Sequence, residues 1–191
     1  MRSPDPTEVA LAHHAAGSSA STGAREQQWQ AAWIRHQMAA DRLLKEQRAA
    51  EAVAEHRKGL TTAKALLLIA DDPKGFVFAP ASMILSALGW TRARRLAKAD
   101  EEGGDLVLTT VDELLCVADD PSRNPVLRVS CVRNAWRGLA DGIESGLVDE
   151  TSSLRTACAR IAATCRRLRP VLAWLSNQDA HGEGASLSAL H

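Results

Sequence analysis

Apolar positions along this chain recur mainly at helical spacing. From about Arg25 to Lys58 nothing interrupts a helix, and Gly59 supplies a C-terminal stop. Trp29, Trp33, Ala40, Leu43 and Leu44 mark an apolar stripe there, with Ile34 and Met38 on its flank. Beyond Leu44 the stripe thins to Ala49, Ala50, Val53 and Ala54. A single helix over 24–59 would run roughly 50 Å at 1.5 Å per residue. It cannot bury its own stripe, so it must lie on the rest of the chain or on a second copy. The expectation is a helix that pairs subunits in a homodimer, with Trp29, Trp33 and Leu44 at a protein interface.

Ahead of it, residues 1–23 read as a loose arm. A short helix over 7–16, capped by Thr7, is followed by the linker-like run Gly17–Gly23. His13 and His14 are adjacent and cannot share one helix face, so they make a poor metal pair. The middle of the chain is more punctuated. Thr61 or Thr62 caps a helix that stops at Asp71-Asp72-Pro73. Gly75–Phe78 reads as a strand stub, Pro80 opens a helix that Gly89 ends, and Thr91 caps another. After the turn Glu101–Asp105, Leu106–Leu108 reads as one strand, and Thr110 then caps a helix ending at Asp119-Asp120-Pro121.

The remainder is helical. Pro125 sits where a first helical residue belongs, and Val129, Val132, Trp136, Leu139 and Ile143 recur at helical spacing. In the last helix Leu154, Cys158, Ile161, Cys165, Leu168, Leu172 and Leu175 alternate spacings of four and three, a heptad seam in which both cysteines read as small buried hydrophobes. Pro170 should kink it. From 179 onward Gly, Ser, Ala and His predict a frayed tail.

The order of elements over 61–108 resembles a winged helix-turn-helix. Leu85, Leu88 and Gly89 stand at the turn, Thr91 is the cap, Leu96 faces inward, and Glu101–Leu108 occupies the place of the wing. The resemblance implies that the helix after the turn enters the major groove of DNA. Thr91, Arg92, Arg94, Arg95 and Lys98 would then carry the contacts to bases and phosphates. LLLIADDP at 66–73 and LLCVADDP at 114–121 agree at six of eight positions, and 96–108 echoes 139–150. A degenerate tandem of two such units is therefore a further reading, with Arg128, Arg133 and Arg137 as the second unit's cations.

Composition narrows the function. The chain has 191 residues, 46% of them apolar but only 4% aromatic, which favours helix over an all-β fold. Lys+Arg and Asp+Glu each number 23, so net charge points to neither nucleic acid nor membrane. Local sign is uneven: Thr151 to Gln178 holds five Arg and no acid. No run of 18 apolar residues and no signal-like N-terminus is present, and the four cysteines form no C-x-x-C pair, so reduced thiols in a cytoplasm are expected. The Asp-Asp-Pro pairs invite a metal-dependent nuclease, but no phosphate loop or nucleophile elbow accompanies them, and Asp before Pro at a helix end is ordinary turn chemistry. Neither a cofactor nor a catalytic residue is expected.

The sequence thus reads as a mainly α protein: arm 1–23, long helix 24–59, winged-helix-like unit 60–110, second helical unit 111–178, tail 179–191. The function placed first is a non-enzymatic regulator that binds double-stranded DNA through residues 80–99. The alternative is a helical adaptor that binds another protein through the Trp29/Trp33 stripe or the 154–175 seam.

Overall fold

The computed structural model describes residues 22–70, 73–98 and 105–180. The arm with His13 and His14, Asp71-Asp72, most of the acidic turn at 101–105 and the tail lie outside them. Six helices follow one another: α1 (Thr22–Lys45), α2 (Ala49–Ile69), α3 (Pro73–Leu96), α4 (Leu106–Asp119), α5 (Pro125–Glu144) and α6 (Ser152–Ala180). The fold is mainly α, and no strand occurs among the described residues.

The apolar stripe of 24–59 is buried by a turn within it. The chain reverses at 46–48, where Gln47 takes φ +59° and the Arg48 guanidinium holds Glu46 at 2.9 Å and Glu51 at 2.6 Å. The long single helix is therefore a hairpin, and α2 and α3 together cover the face expected to meet a second subunit. Gly59 is no stop. It sits inside α2, where a β-carbon would come within 2.6 Å of Gln37 Nε2.

α3 departs furthest from the expectation. Gly75–Phe78, read as a strand stub, lies in its opening turns, and Gly89–Thr91, read as the helix-turn-helix turn, lies within it. Each glycine marks a close approach between helices. A β-carbon on Gly75 would overlap the carboxylate of Glu26 from α1, and one on Gly89 would come within 2.4 Å of the His56 ring from α2. Helix packing therefore outweighs the local preference of glycine for a turn. Thr91 donates its hydroxyl to the Ala87 carbonyl one turn back at 2.9 Å, the bond of a mid-helix threonine rather than a cap. The strand expected at the wing does not form among the described residues: Leu106–Leu108 is the first turn of α4, whose cap is Asp105, accepting from Leu108 N–H at 3.0 Å.

The core runs through the chain from Trp33 to Leu168, with Leu66, Met83, Leu114, Leu127 and Leu139 fully buried. α1 lies on α2, α2 on α3, and α3 on both α4 and α5; α6 packs on α4 and α5. Gly138 of α5 admits Ile84 of α3, whose methyl would stand 2.3 Å from a β-carbon there. No helix among the described residues is long and apolar enough to cross a membrane.

Candidate functional site

The tryptophans of the first helix do structural work. Trp33 is 9% exposed, meets Phe78 edge-to-face with ring centroids 5.2 Å apart, and donates Nε1–H to Ser86 Oγ at 2.9 Å. Trp29 is half-buried against the same core, and Leu44 packs beside Leu43, Ala52 and Ala93. These three are joined to the chain's own helices.

The five residues predicted to touch DNA share the last turns of α3 and the turn beyond it, but not in one role. Thr91 is half-buried and bonded to its own helix. Arg92 is exposed, and Arg94 half-buried. Arg95 turns its guanidinium to the carbonyls of Gly146 and Leu147, so it holds the loop after α5 against the end of α3. Lys98 is exposed with φ +49°, just past the helix. No second helix crosses this one in the manner of a helix-turn-helix, because residues 80–99 fall largely within α3 itself.

The chain matches no protein-family profile, no curated protein and no solved structure. Its function must be read from geometry.

The large exposed apolar side chains of the second half stand on α5 and α6. Trp136 is 55% exposed, Ile143 46%, Leu172 43% and Trp174 51%. The arcs follow from which residues are clipped. Arg160 grips Asp112, Arg167 grips Asp119 at 2.6 Å, and both pairs are spaced by seven residues, so α6 runs parallel to α4 in register. Those pairs turn Cys158, Cys165 and Leu172, roughly 160° round a 3.6-residue helix, away from α4. Between these arcs lie the buried Leu154, Ile161 and Leu168.

On α5, Gly138 faces α3, and Arg128 donates to the Ala118 carbonyl of α4 at 2.8 Å. Continuing round the helix in that direction brings up the buried Val132 and Leu139, and then Trp136 and Ile143. Because α6 packs on both α4 and α5, it lies on that side. Trp136 and Ile143 therefore border the same α5–α6 seam as Cys165.

The spacing of Val129, Val132, Trp136, Leu139 and Ile143 was visible in the sequence as a helical stripe; only Val132 and Leu139 of the five are buried. The heptad positions of α6 divide likewise. Leu154, Ile161 and Leu168 are buried, Cys158 is half-buried, and Cys165 is exposed while its neighbour Thr164 is fully buried. Cys165 is thus no core residue: the turn of α6 set by its arginine clips puts position 164 inward instead.

Proposed function

We propose that this chain is a non-enzymatic helical adaptor that binds another protein, and that the α5–α6 seam is its binding face. One observation supports this reading above others: Trp136 stands more than half exposed, on a helix that packs against three neighbouring helices. A large aromatic held on a rigid helix is the kind of side chain that anchors protein interfaces. The Trp29/Trp33 stripe offers less, since Trp33 is spent within the core.

DNA binding stands second. It rests on exposed Arg92 and Lys98 at the end of α3, on a chain with no net charge.

A peptide library panned on the full chain tests the first reading against the second. Binders should emerge, and Trp136→Ala should weaken them at least tenfold while leaving the circular-dichroism melt in place. The adaptor reading is overturned by a library that yields nothing, or by binders that Trp136→Ala leaves unaffected. A salt-dependent shift of random duplex by the same preparation would then move DNA binding into first place.

A further inference from the structure

The α6 side of the seam is bordered by cations alone. Pro125 to Glu144 holds three Arg and two acids, Asp141 and Glu144, whereas Thr151 to Gln178 holds five Arg and no acid. Arg128, Arg160 and Arg167 are committed to α4 through Ala118, Asp112 and Asp119. The other five make no ion pair among the described residues. Arg155, Arg166 and Arg169 are exposed and share one arc of α6, immediately beyond Cys158 and Cys165 on the solvent side. Arg133, half-buried, and Arg137, exposed, lie on α5 beyond Trp136, on the far side of the strip from α6. The α6 rim of this face is therefore purely basic, whereas the α5 rim is mixed, with Arg133 and Arg137 beside the exposed Asp141 and Glu144.

We propose that the occupant of the α5–α6 seam is an acidic amphipathic helix of a partner protein, one that carries an apolar stripe with Asp or Glu on the flank that faces α6. This rests on the adaptor reading and specifies its partner. The apolar strip selects a helix face over a nucleic-acid backbone, because Ile143 offers phosphate no hydrogen bond and Trp136 only its single indole N–H. The recognition mode is a helix laid along a helix pair, with anchors at i, i+3 or i+4, and i+7. Val129 to Ile143 on α5 spans roughly 21 Å at 1.5 Å per residue, which matches about four turns of a bound helix. The flanking arginines supply the sign: opposed charges at the rim steer encounter and reject partners of the wrong charge. They were free to do so only because the acids that pair with Arg160 and Arg167 are on α4, on the opposite side of α6.

A display library of helical 16-residue peptides, built on a fixed leucine stripe with every flank position open to Glu, Gln or Lys, tests this on the full chain. Enriched peptides should carry Glu on the flank that faces α6, and their affinity should fall at least tenfold between low and high salt. The triple variant Arg155→Glu, Arg166→Glu, Arg169→Glu should retain its helical melt and turn the preference towards Lys on the α6 flank. Enrichment of Gln or Lys peptides by the parent chain overturns the acidic partner while leaving the adaptor reading in place, provided those peptides still need Trp136. No enrichment, together with binding of a random duplex, overturns both. Glu-rich binders indifferent to the triple variant would show that these arginines are not the recognition element, and that also overturns the proposal.

Discussion

Single residues divide here into those that hold the fold and those it leaves available, and the two groups include the same residue types. Trp33 and Trp136 are the clearest pair. Trp33 loses ring packing, an edge-to-face contact and a hydrogen bond to Ser86 when truncated. Trp33→Ala should cost about 3–5 kcal/mol in urea unfolding, the range for a buried tryptophan. Trp136→Ala should stay within about 0.5 kcal/mol, as befits a surface position. A large loss for Trp136→Ala would mean that the ring is covered in the protein as it folds. Cysteines divide in the same way. Cys131 is fully buried on α5, and desolvation pushes its thiol up to about 12. Cys116 and Cys165 are exposed. A maleimide added to the native protein should therefore modify Cys116 and Cys165 readily, and reach Cys131 only in denaturant. Mass spectrometry of the labelled peptides distinguishes them.

Among the helices, the interfaces that matter most are made by residues that look like breaks. Gly59, Gly75, Gly89 and Gly138 all lie within helices, and each stands where a neighbouring helix presses a side chain against the backbone. In the sequence, the mainly α class was legible from composition and from 3.6-residue spacing, and so were α5 and α6. The helix-turn-helix reading failed because a glycine that makes room for a ring looks, locally, like a glycine that makes a turn. The hairpin at 46–48 was invisible for the opposite reason: Gln47 has no turn signature, and its left-handed backbone follows from the packing of α1 on α2. The arginine-rich, acid-free stretch of α6 was visible; which arginines are committed to α4 needed the fold. Gly138 gives a direct test of this view. Gly138→Ala gains about 1 kcal/mol of helix propensity. It also drives a methyl into Ile84 across the α3–α5 interface, for which overpacking typically costs about 1–3 kcal/mol. The variant should be destabilised on balance, and adding Ile84→Val should recover part of the loss. Full additivity of the two changes in a double-mutant cycle would mean that the helices separate freely at this point.

The stability of the whole molecule should record a group that the fold buries without a partner. His56 is 3% exposed between α2 and α3, and neither ring nitrogen has a hydrogen-bond partner among the described residues. Burial holds its pKa below the usual 6.5, an effect opposed by the negative charge of Asp41 on α1. At pH 7 the imidazole is largely neutral whether the chain is folded or not, so it brings little penalty there. As pH falls through 6.5 the unfolded chain binds a proton that the folded chain resists, and the balance moves towards unfolding by at most about 1.4 kcal/mol per pH unit. The loss levels off only once the folded state accepts the proton too. Carboxylates act lower. Glu55 is held below its ordinary value by hydrogen bonds from Lys58 and His36, Glu51 by Arg48, and Asp120 by Ser122. Their stabilisation is present above about pH 4.5 and is withdrawn only as pH falls below it. The two effects therefore occupy different windows. Urea midpoints measured from pH 7.5 to 3.5 should fall in two stages, the first setting in as pH drops below about 6.5 and the second below about 4.5. His56→Gln removes the titrating ring, so its profile should lack the first stage and keep the second, whatever its stability at pH 7. Equal slopes for parent and variant between pH 6.5 and 5 would mean that His56 reaches solvent, and that α2 and α3 part around Gly89 more easily than their packing implies.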